Sequence, residues 1–131
     1  MSSLKTCLAG LFLGGTLSTL APSAQAFSAD EQLRFFAHCA GRLSAQMEFQ
    51  WMFDGIASER TKAERQDVID ILDTMIPDGR GREVLHWRIE AKQAQAVLLN
   101  RSTFGQDQRQ ARMASKLALR NVNECRAVLI S

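Results

Sequence analysis

The chain has 131 residues, 46% of them hydrophobic and 23% charged, with a formal net charge of +2. That balance gives no global pull towards nucleic acid or an acidic membrane, and the length bounds the fold to one domain. No nucleic-acid partner is expected.

Read in chain order, the first 26 residues have the three parts of a secretory signal peptide: positive Lys5, an apolar run over 8–20, and the small-x-small end Ala24-Gln25-Ala26. Cleavage is predicted after Ala26. Removing 26 of the 131 residues leaves 105, and because Lys5 is the only charge removed, the net charge falls to +1. The apolar run is shorter than the roughly 20 residues a spanning helix needs and carries Gly14, Gly15, Thr16 and Ser18. No stable membrane anchor is therefore expected after cleavage. Cys7 lies at the start of the run, not at the first mature position, which argues against a lipid anchor. The predicted location is the bacterial periplasm, or the external medium.

Loss of Cys7 leaves Cys39 and Cys125, and in an oxidising compartment two cysteines predict one disulfide. Closing so long a loop removes denatured-state entropy worth about 4 to 5 kcal/mol in the chain-entropy model, an upper figure.

Four helices follow from the periodicity of apolar residues. Ser28-Ala29-Asp30-Glu31 is a capping-box pattern, and the stripe Leu33, Phe36, Ala40, Leu43, Met47, Trp51 predicts a helix over 28–53. Val68, Leu72 and Met75, with Ile69 and Ile71, predict a second over 58–76, stopped by Pro77-Asp78-Gly79. Val84, Trp87, Ala91, Ala94 and Leu98 mark a third over 82–103; Ala111, Ala114, Ala118, Val122, Cys125 and Leu129 mark a fourth over 107–130. No stretch alternates with period two. The fold class is all-α, an antiparallel up-down-up-down four-helix bundle with helix 1 beside helix 4 and helix 2 diagonal to it. From helix rise, Cys39 sits about 16 Å from the start of helix 1 and Cys125 about 9 Å from the chain end, which brings the two thiols within a turn of each other.

Surface features suggest binding. Arg112, Lys116 and Arg120 form an i, i+4, i+8 ladder with Arg109 beside it, and like charges at that spacing repel unless an external anion or acidic neighbour intervenes. Glu59, Asp67, Asp70 and Asp73 give helix 2 an acidic outer side. Phe35, Phe49 and Phe53 fall on helix 1 away from its core stripe, and the tail from Met47 to Phe53 is apolar nearly all round. Something covers such a helix end: a loop around Gly55 to Ser58, or a partner.

Chemistry is sparsely represented. Glu83, His86 and Glu90 occupy one side of helix 3 at i, i+3 and i+7, a weak candidate metal site, but the second Glu-x-x-His of a di-iron bundle is missing. Gly79-Arg80-Gly81-Arg82 offers free backbone N–H groups and two guanidiniums at a helix start, and reads more simply as a tight turn. No Cys-x-x-Cys-His, Gly-x-Ser-x-Gly or Walker-type loop occurs. No cofactor and no enzymatic activity are expected. The sequence therefore points to an interaction or structural module with a protein partner or with itself, the alternative being a metal- or small-ligand-binding bundle.

Overall fold

The structure, a computed structural model, describes residues 27–130; the predicted signal peptide and cleavage position, Cys7 and Ser131 lie outside the described residues. Four helices occupy them, α1 (Ala29–Trp51), α2 (Gly55–Met75), α3 (Gly81–Phe104) and α4 (Gln108–Ala127), with no strand. This is the all-α four-helix bundle the periodicity predicts.

Local sequence explains the helix starts. Ser28 caps α1 and forms the full capping box with Glu31: the Ser28 backbone N–H and hydroxyl donate to one carboxylate oxygen at 2.8 and 2.9 Å. These bonds hold the Glu31 carboxyl below the ordinary carboxylate range. Asp54 accepts from Ala57 N at 3.0 Å, so α2 begins at Gly55 and not at 58. Asp107 accepts from Arg109 N and Gln110 N at the start of α4. The chain enters α3 through Gly79, whose φ of 82° is the left-handed conformation that glycine adopts without a Cβ clash.

The helices alternate in direction, but their neighbours differ from the simple ring. α1 packs most extensively on α3, next on α2, and less on α4, while α4 packs mainly on α3. Asp30 with Arg80, Arg34 with Trp87 and Glu48 with Lys92 climb both helices together, so α1 and α3 lie parallel. Small residues permit this close pairing. A Cβ at Gly41 would overlap the Arg88 carbonyl oxygen and lie 2.9 Å from the Lys92 nitrogen. With neighbours on several sides, α1 is buried nearly all round its middle, at Ala37, Cys39, Ala40, Gly41, Leu43, Ser44 and Ala45.

Two clusters make the core. The main one joins Leu33, Leu43, Val68, Leu72, Val84, Trp87 and Val122 with the buried disulfide. Cys39 and Cys125 are bonded, with Cα atoms 5.4 Å apart. The second cluster is only Ala45, Leu99 and Ala118, with Phe49 and Leu98 against it. Gln95 is buried beside it: its Nε2 donates to the Ala118 carbonyl and its Oε1 accepts from Asn121, both at 3.1 Å, which fixes the register of α3 on α4. Ala94, expected inside, is exposed instead. No helix of the described residues is long and apolar enough to cross a membrane.

Candidate functional site

The end of the bundle formed by the α1–α2 and α3–α4 turns carries the most unusual surface. Because Asp54 starts α2 at once, no loop is available to cover the end of α1: residues 55–58 are the first turn of a helix. Trp51, Met52 and Phe53 are left exposed, together with Ile56 on α2; Trp51 is 78% and Ile56 79% exposed. Trp51, expected in the core stripe, thus belongs to the surface. The aromatic strip expected on α1 divides. Phe35 is half-buried against the main core, edge-on to Phe36 at 5.6 Å, because α1 is enclosed by its neighbours. Phe49 is half-buried on the second cluster, and Phe53 stacks on it at 5.0 Å while facing outward. Only Phe53 of the three is an open surface residue.

Beside this tip, on the neighbouring hairpin, lies an open groove of about 610 Å³ between α3 and α4. Leu98, Ala114 and Leu117 line it with Met113, and Arg101, Lys116 and Arg120 supply its cations. Lys116 and Arg120 are half of the basic ladder read from the sequence; Arg109 and Arg112 are exposed on α4 outside the groove. Arg101 was invisible to helix-by-helix reading because it comes from α3. Arg101 and Lys116 have no ion pair among the described residues, and Arg120 reaches Glu124 at 3.9 Å. Arg109 and Arg112 sit in the first turns of α4, at the positive end of its dipole, where cations are disfavoured. The acidic residues Asp67, Asp70 and Asp73 lie on the exposed side of α2, away from that groove.

The other candidates are taken up by structure. Arg80 donates to Glu83 at 2.7 Å and pairs with Asp30, while its guanidinium and that of Arg34 lie 5.4 and 5.0 Å from the Trp87 ring centroid. Arg80 is therefore committed inside the fold and is not offered to an anion. The same pairing draws Glu83 away from His86 and holds its carboxyl below the ordinary range. His86 meets Glu90 alone at 3.5 Å, and no group of three ligand-type residues among the described residues is arranged to hold a metal ion. His38 lies half-buried in a shallow pocket with Arg42, Glu90 and Asn121. Burial first, then the positive charge of Arg42 and Arg34, pushes its pKa below 6.5 despite the opposing Glu90. No protein-family model, curated protein or solved structure matches the chain.

Proposed function

We propose that the mature chain is a non-enzymatic interaction module, exported to an oxidising compartment such as the periplasm, that binds protein through its α1–α2 tip. The observation carrying this reading is the cluster of four large apolar side chains exposed at one turn, Trp51, Met52, Phe53 and Ile56. Trp, Phe and Met are enriched in interfaces, where each removes much apolar area from water. A bilayer is a poorer match. Between Arg42 and Arg60 the chain has no Lys or Arg, so the tip itself holds no cation for an anionic lipid headgroup.

The test is photo-crosslinking from position 52 in cells that export the protein. A discrete protein adduct, lost when Trp51 and Phe53 are both changed to Ser, is expected. A parent chain that gives no adduct overturns the reading.

A further inference from the structure

We infer that the partner of the tip is a second copy of this chain, whose α3–α4 groove receives it. The inference rests on the reading of the tip as a protein-binding surface and adds the receptor. Two surfaces of one chain complement each other in apolar character and in charge. The tip is apolar and flanked by exposed Asp54, with no cation in residues 43–59; Glu59 beyond it pairs with Lys62 at 3.4 Å. The groove is concave and floored by Leu98, Ala114 and Leu117, and its cations Arg101 and Lys116 have no acidic partner among the described residues. At about 610 Å³ it falls within the range of ordinary binding pockets and has room for bulky side chains.

Placement favours a closed pair. α1 and α3 end on the same side of the molecule, and Phe49 behind the tip and Leu98 of the groove pack on one small cluster, Ala45, Leu99 and Ala118. Tip and groove are thus parts of one continuous end surface. Two copies related by a two-fold axis place each tip in the other's groove, the self-complementary arrangement in which a contact made once is made twice. Attraction between the acidic flank and the cations orients the pair, and removal of Trp51, Met52, Phe53 and Ile56 from water supplies the affinity.

The experiment uses the mature, disulfide-closed protein. Sedimentation is expected to give a two-copy mass at micromolar concentration, with dissociation favoured at high salt. A cross-linker at position 52, in a mixture of ¹⁵N-labelled and unlabelled chains, is expected to join peptides from 98–120 of the other copy. Arg101→Glu with Lys116→Glu, and separately Phe53→Ser, should each weaken dimerisation at least tenfold with the helix signal in circular dichroism unchanged. A monomer whose position 52 captures a different protein overturns the self-docking inference and leaves the tip reading standing. A monomer with no adduct overturns both. A dimer indifferent to the Arg101 and Lys116 reversals overturns the groove as receptor.

Discussion

Around the disulfide, Leu33, Leu43, Val68, Leu72, Val84 and Trp87 from three helices pack against bonded Cys39 and Cys125; at the tip, the buried cluster is two alanines and one leucine. Exposed large apolar residues also occur singly elsewhere, such as Phe27, Leu85 and Ile130, but at the tip four of them lie within six residues. The contrast separates two uses of the same side-chain chemistry. Burial within the chain stabilises the fold, whereas apolar surface left at the tip contributes free energy only when something else covers it.

Perturbations can be ranked by how sharply they should distinguish the two ends. Removing the disulfide with Cys39→Ser and Cys125→Ser is expected to cost about 3 to 5 kcal/mol in urea denaturation, because the bridge closes a separation of 86 residues. Leu43→Ala or Leu72→Ala, each truncating a fully buried side chain, should cost about 2 to 4 kcal/mol by the same measurement. Gly41→Ala should lower stability by about 1 to 3 kcal/mol even though alanine is the better helix former by about 1 kcal/mol, since the added methyl meets backbone that cannot rotate away. A stabilised Gly41→Ala protein would show that α1 and α3 are not in such close contact.

Acid should touch the disulfide half through His38. Its folded pKa is lowered, so its stabilising contribution is complete above about 6.5 and is lost as pH falls from there through the folded value. His38→Gln is expected to flatten the dependence of the unfolding midpoint on pH between 7 and 5; an unchanged slope would assign that dependence to other groups. The smallest effect on stability belongs to the tip. In protein dilute enough to be monomeric, Trp51→Ser with Phe53→Ser should shift folding by within about 0.5 kcal/mol. A loss above about 1.5 kcal/mol would mean that the tip is part of the core and that the two ends do not differ in kind.

Much of the disulfide half was legible in sequence. Two cysteines, the Ser28 capping box and the alanine periodicity of α4 each carry a local signal, and Ala111, Ala114, Ala118, Val122 and Cys125 are the buried residues of α4. What was not legible depends on which helices meet. A stripe argument assumes one buried face per helix, and α1 has neighbours on several, so Phe35 reads as outward from spacing alone although it packs on the core. Gln95 is passed over for Ala94 because amides are mostly exposed; only the Ala118 carbonyl and Asn121, neither near in sequence, make its burial affordable. The groove is hidden for the same reason, as Arg101 and Lys116 come from different helices. By contrast, Asp54 was a readable N-cap signal, and giving it weight would have removed the covering loop and exposed the tip from sequence.

The bridge from α1 to α4 also decides how the molecule responds to force. Tension applied at Phe27 and Ile130 passes through the Cys39–Cys125 bond, so α2, α3 and the turns between them lie outside the path of the load. Only the twelve residues before Cys39 and the five after Cys125 can be drawn out, an extension of about 60 Å, against roughly 350 Å for the same described chain once reduced. The oxidised protein is a short, nearly inextensible link, and the reduced one is a long spring.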